Sequence, residues 1–179
     1  MRRSELQHVI LEIGRRFNLK EVFIIGSSAI LAVIPDPPEG ILTKSRDVDV
    51  IPLSDDDERM ADRISFVMGE ASPFDEEYGY HAQGVSFKTP TFAPRDWQRR
   101  TIEVRVDEYV AHCMEPHDLI LSKLGAGREK DLEFAQACVN LKLVDRETLL
   151  ERQALVEAPA ERVALIEKRV AALFRELRV

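Results

Sequence analysis

Cysteine is scarce in this chain. Cys113 and Cys138 are the only two among 179 residues, too few for a disulfide framework and without zinc-cluster spacing. A reducing compartment is therefore expected. No stretch stays apolar long enough to cross a bilayer. The opening MRRSELQHVI carries two arginines, but Ser4, Glu5, Gln7 and His8 interrupt the apolar run that a secretory signal needs. Excess positive charge is also missing. With 25 Lys and Arg against 32 Asp and Glu, the net charge is −7, which argues against broad binding to phosphate backbones and leaves room only for a local basic groove. Internal repeats and low-complexity tracts are absent. What remains is 45% hydrophobic and 32% charged, the balance of a globular protein with an ordinary core. The expectation is one compact cytoplasmic domain, with no membrane segment.

Periodicity supplies the elements. Ser4 with Gln7 reads as a capping box, and Leu6, Val9, Ile10, Ile13 and Phe17 recur at helical spacing, so a helix is predicted to about Arg16. EVFIIG reads as a buried strand ended by glycine, and SSAILAVI as a short helix stopped by the proline loop at 35–40. DVDVIPL is a second strand. Ser54 with Asp55, Asp56 and Asp57 opens a helix whose inner face is Met60, Ile64 and Val67. Residues 70–82 read as a loop; GVSFKTP, RRTIEVRV and EYVAHCM read as strands. From Pro116 the pattern is helical, with breaks at Gly125 and Gly127. The final helix carries a stripe of Val163, Ile166, Val170, Leu173 and Leu177, read as core packing over a dimer seam. The predicted architecture is α+β, with a core over 1–115 and a helical region over 116–179 packed on it.

The strand DVDVIPL poses the chemical question. Residues two apart project from one face, so Asp47 and Asp49 point together while Val48 and Val50 face the core. Like charges held that close beside apolar neighbours repel and resist desolvation. Two readings of an isolated D-x-D stay open: both carboxylates face water at a strand end, or a divalent cation sits between them. Carboxylate oxygens suit Mg²⁺, which takes one or two of them together with substrate phosphates. Gly26-Ser27, at a strand-to-helix junction, is open in the same way between a capped turn and a phosphate seat.

Gly-Ser after one strand and D-x-D on the next together form the hG[GS]…Dh[DE]h pattern, and the sequence resembles the nucleotidyltransferase superfamily with the DNA polymerase β-like fold. The downstream block EPHDLILSKLGAGREKDLEF is similar to the K…R-x-K-D motif of AbiEii-like nucleotidyltransferases, many of them toxins of toxin–antitoxin pairs. More closely, IGSSAILAVIPDPPEG, SPFDEEYGYHAQGV and that same block resemble the DUF6036 family of bacterial nucleotidyltransferase-like proteins, from about Ile24 to Leu149. The resemblance implies a mixed sheet with flanking helices and Mg²⁺-dependent (or Mn²⁺-dependent) transfer of a nucleoside monophosphate from an NTP. The acceptor would be an RNA such as a tRNA end, a protein or a small molecule. It implies that Gly26, Ser27 and Ser28 bind the triphosphate and that Asp47 and Asp49 ligate the metal. Lys123 and Arg128 would neutralise phosphate charge, and Asp131 would orient Lys123 or activate an acceptor hydroxyl.

Members of the superfamily usually carry a third carboxylate on a later strand. The candidate is Glu103, with Arg105 available to pair with it instead. The alternative is an NTP-binding sensor, or one protein of a toxin–antitoxin pair, that has kept the fold without turnover. His112, Cys113 and His117 invite a zinc reading but lack a fourth ligand, so structural roles are expected. Trp97 among Arg95, Arg99 and Arg100 forms the most basic patch, with Trp97 expected to pack. The nucleotide, the acceptor, the genomic partner and the oligomeric state are not encoded in any motif.

Overall fold

The computed structural model describes residues 1–54 and 56–175. Contacts divide the chain into two units, Met1–Thr89 with Thr101–Met114, and Pro90–Arg100 with Glu115–Val179. Residues 90–100 therefore pack with the C-terminal helices, whereas the sequence reading put them in the first segment.

In the first unit, α1 (Arg3–Phe17) buries Leu6, Val9, Ile10 and Ile13 at the expected spacing. Its cap differs from the expectation: Arg2 is the N-cap, and the Glu5 carboxylate accepts from the Arg2 backbone N–H, leaving Ser4 inside the first turn. Glu at the third helical position reaches back better than Gln7 can. Five strands follow: β1 (Glu21–Ile25), β2 (Asp47–Pro52), β3 (His81–Gly84), β4 (Ile102–Val106) and β5 (Tyr109–Cys113). They form one mixed sheet in the order β3-β2-β1-β5-β4. β1 is antiparallel to β2 and parallel to β5, β3 is parallel to β2, and β4 is antiparallel to β5. Period-2 alternation sends Val22, Ile24, Val48, Val50, Ala82, Val104, Ala111 and Cys113 to one fully buried face. Helix α1 packs against β4 and β5, and α2 (Asp57–Met68) against β2 and β3.

Several local expectations change. Helix α2 is capped by Asp56, whose side chain accepts from the Arg59 N–H; Asp55 lies outside the described residues. Its buried stripe is Ala61, Ile64 and Met68: Ile64 faces inward as predicted, while Ala61 and Met68 are buried and the predicted Met60 and Val67 are half-buried. The predicted loop at 70–82 contains α3 (Pro73–Tyr78), capped by Ser72 with Pro73 in the first turn, and then β3. The predicted strand GVSFKTP is a turn past Gly84, with the Thr89 N–H donating to the Ser86 carbonyl. β3 is short and polar, so no alternation announces it; pairing with β2 makes it a strand.

In the second unit, a 3₁₀ turn (Trp97–Arg100) precedes α4 (Pro116–Ala126), α5 (Glu129–Asn140), α6 (Arg146–Gln153) and α7 (Ala160–Leu173). Helix α4 begins at Pro116, where the missing N–H costs nothing, and the Glu115 side chain accepts from the N–H groups of His117 and Asp118. Gly125 stays inside α4; Gly127, at φ 69°, ends it. From α7, Arg162 and Arg169 donate to the carbonyls of Gly125 and Leu124, pinning the end of α4. Of the predicted α7 stripe, Ile166, Val170 and Leu173 are buried in the core, Val163 is half-buried, and Leu177 lies outside the described residues.

Candidate functional site

The register of the β1–β2 ladder decides what the paired aspartates face. Ile25 stands opposite Asp49, so the chain leaves β1 at Gly26 directly beside that carboxylate. Gly26 has φ 69°, in the left-handed region where side chains are strained. A Cβ there would overlap the Asp49 Oδ2 and stand 3.2 Å from its Cγ. The turn is thus a cradle that only glycine fits, with an acid forming its wall. Asp47 and Asp49 are both half-buried and share a sheet face. The Ser45 hydroxyl donates to Asp47 Oδ1.

The helix after Gly26 is a six-residue 3₁₀ turn, Ser27–Ala32, so its dipole is short and any anion binding rests on local N–H groups and the Ser27 hydroxyl. Ser28 departs from the expectation. It is 2% exposed, and among the described residues its buried hydroxyl has no hydrogen-bond partner.

The third carboxylate is not brought to this pair. Glu103 sits on β4, three strands from β2, a separation of about 14 Å at the usual inter-strand spacing. It pairs with Arg105 instead. The positions abreast of Asp47 and Asp49 on β3 are His81 and Gln83. His81 Nδ1 lies 3.1 Å from Asp75 Oδ1, and Gln83 Nε2 donates to Ser65 Oγ at 2.9 Å. Among the described residues, no cluster of three or more His, Cys, Asp or Glu side chains is arranged to hold a metal ion. The pair nevertheless suits a hard cation that completes its shell with water and phosphate oxygens, as Mg²⁺ does with one or two carboxylates.

The second unit holds the cations. Asp131, at 0% exposure, accepts from Arg128 Nε at 2.7 Å and lies 3.3 Å from Lys123 Nζ. The Lys123 ammonium also sits 4.4 Å from the centre of the Phe134 ring. Burial alone would push the Asp131 carboxyl up; the Arg128 hydrogen bonds and the Lys123 charge outweigh it and hold the group below its ordinary value. Of its two expected roles, geometry favours orientation: both oxygens are engaged and neither meets solvent, so activation of an acceptor hydroxyl has no free lone pair to use. Arg128 keeps 64% of its side chain exposed.

The other candidates have structural partners. His112 and Cys113 are consecutive on β5 and point to opposite faces. His112 Nε2 lies 2.9 Å from Glu21 Oε2, and burial pushes the Cys113 thiol up to about 12. His117 accepts the Asp145 N–H at Nε2 (3.0 Å), which leaves Nδ1 to donate to Glu115 (2.6 Å). No zinc set forms among them. Trp97 is buried, Arg100 donates to the fully buried Asp118 at 2.8 Å, and Arg95 pairs with Glu157. Trp97 packs as expected and Arg100 serves a buried ion pair, while Arg95 and Arg99 stay exposed. Neither Gly26's contact nor Asp131's double engagement carried a sequence signal beyond the motifs themselves.

A five-stranded mixed sheet flanked by helices, with Gly-Ser ending its first strand and paired aspartates on the next, is a nucleotidyltransferase-like α+β fold. The chain belongs to the family described as "Nucleotidyltransferase of unknown function (DUF6036)", whose model matches residues 4–174. No curated protein and no solved structure matches the chain. Among the described residues, no helix is long and apolar enough to cross a membrane.

Proposed function

We propose that this protein transfers a nucleoside monophosphate from a magnesium-bound NTP to an acceptor hydroxyl on RNA, protein or a small molecule. The observation that carries the proposal is the contact between the Gly26 turn and the Asp49 carboxylate, because it puts the Gly-Ser turn directly beside the paired aspartates. Asp47 and Asp49 would hold Mg²⁺, which supplies charge neutralisation at the phosphates. The Ser27 hydroxyl and the backbone of Gly26–Ser28 would seat the β,γ-phosphates. In the second unit, Lys123 and Arg128, held by Asp131, form a cationic group of their own. The acceptor oxygen bonds to the α-phosphorus as the bond to the β-phosphate oxygen breaks; pyrophosphate leaves and the hydroxyl proton passes to water. A toxin–antitoxin role would make a cognate protein or a tRNA the partner.

A second reading, an NTP-binding sensor without turnover, is favoured by His81 and Gln83 standing where a third carboxylate would complete the pair. One experiment separates them: incubate the protein with Mg²⁺ and each labelled NTP, alone and with tRNA, beside the Asp49→Asn variant. Label transfer by wild type and at least a hundredfold less by the variant is expected. Binding without label transfer selects the sensor; neither binding nor transfer removes both readings.

A further inference from the structure

The sheet face that carries the aspartates continues into an aromatic cluster. Along β2, Ile51 is the next residue on the Asp49 side, about 7 Å further on. Phe23 of β1 is its register partner, and His112 of β5 is the partner of Phe23. The Phe23 ring lies 5.4 Å from His112 and 5.6 Å from Phe87, the latter edge-on at 72°. Phe87 follows β3, where the Val85 N–H donates to the Val50 carbonyl at 2.8 Å. In the order β3-β2-β1, Phe87 reaches from the end of β3 past β2 to Phe23 on β1. Ile51 is 0% exposed, while Phe87 keeps 38% of its surface in solvent. An aromatic ring braced edge-on by a second ring, yet part-exposed on the sheet face that carries the aspartates, is able to stack a flat heterocycle.

We infer that Phe87 is the stacking platform for the base of the nucleotide whose phosphates sit at Gly26–Ser27 and Asp49. One ribose separates the base of an NTP from its α-phosphate, so base and phosphates would lie along one sheet face, on which Asp49 and Ile51 follow each other and Phe23 stands abreast of Ile51. A ring face without a hydrogen-bonding edge accepts any base, so this subsite selects nucleotides over bare polyphosphate and discriminates weakly among the four. The inference rests on the proposed nucleotide site, and its test separates the two.

Titration calorimetry would compare a non-hydrolysable ATP analogue with inorganic tripolyphosphate, both with excess Mg²⁺, on wild type, Phe87→Leu and Phe87→Trp. Leucine keeps an apolar side chain against Phe23 at a part-exposed position, so folding is retained, and tryptophan keeps an aromatic face. Wild type and Phe87→Trp are expected to prefer the nucleotide by about tenfold, the scale of one base–aromatic stack. Phe87→Leu should lose that preference and bind tripolyphosphate as wild type does. An unchanged preference in Phe87→Leu, or none in wild type, overturns the platform while leaving the phosphate site standing. No binding of either ligand to wild type removes the site and the platform together.

Discussion

Asp131 carries the clearest energetic argument of any single residue. It is fully buried, yet ionised, because two cations converge on it. Its folded pKa is depressed, so the ionised form favours the fold. That contribution is present above the ordinary aspartate value and is lost as the pH falls through the depressed one. Removing the charge strands Lys123 at 9% exposure with its ammonium less compensated. Asp131→Asn is expected to cost about 3–5 kcal/mol in urea denaturation at neutral pH. The loss of stability on acidification below about pH 4 should be smaller in the variant than in wild type, because the titrating group is gone. Equal acid sensitivity in both would show that Asp131 is not the group responsible. A charged GREKD run ordinarily faces water, and only the family motif marked Asp131; its complete burial depends on α4 and α5 packing, which no local pattern encodes.

At the scale of elements, the strand–turn–strand unit from Glu21 to Pro52 organises the candidate site. The turn works because Gly26 takes φ 69° and because Asp49 occupies the space a side chain would need. Gly26→Ala therefore meets strain and collision together. The backbone term alone is on the order of 1–2 kcal/mol, and displacement of the Asp49 carboxylate adds to it. The expected outcome is a lower urea midpoint together with at least tenfold weaker uptake of Mg²⁺ and nucleotide by calorimetry. Full binding in a destabilised variant would confine the glycine to a folding role. Both strands and the turn were legible from β-branched runs and a terminal glycine. Helix α3 and strand β3 were not, because an acidic stretch behind Ser72-Pro73 resembles a loop, and a four-residue polar strand becomes one only when β2 offers it a ladder.

For the whole molecule, the net charge of −7 sets a condition on the proposed ligand. A free NTP carries several negative charges toward an acidic protein and, at the site itself, toward Asp47 and Asp49; repulsion opposes binding until a divalent cation intervenes. Saturating Mg²⁺-nucleotide at about a hundred times its Kd should stabilise the protein by about 2.7 kcal/mol, a rise of several degrees in Tm. Chelating the metal with EDTA should abolish the rise, and Mn²⁺ should restore it. A shift that persists in EDTA would mean the nucleotide binds without the carboxylate pair. The sequence by itself determined where most helices and strands lie and that Asp47 and Asp49 share a face, because periods of 3.6 and 2 and the preferences of capping residues act over a few neighbours. Tertiary structure alone decided that Ile25 stands opposite Asp49, that β3 joins the sheet beside β2, that Glu103 ends three strands away, and that Asp131 is sealed between Lys123 and Arg128. These are pairings between distant segments, fixed by which buried faces and ladders can be satisfied together, and a local pattern holds no record of them.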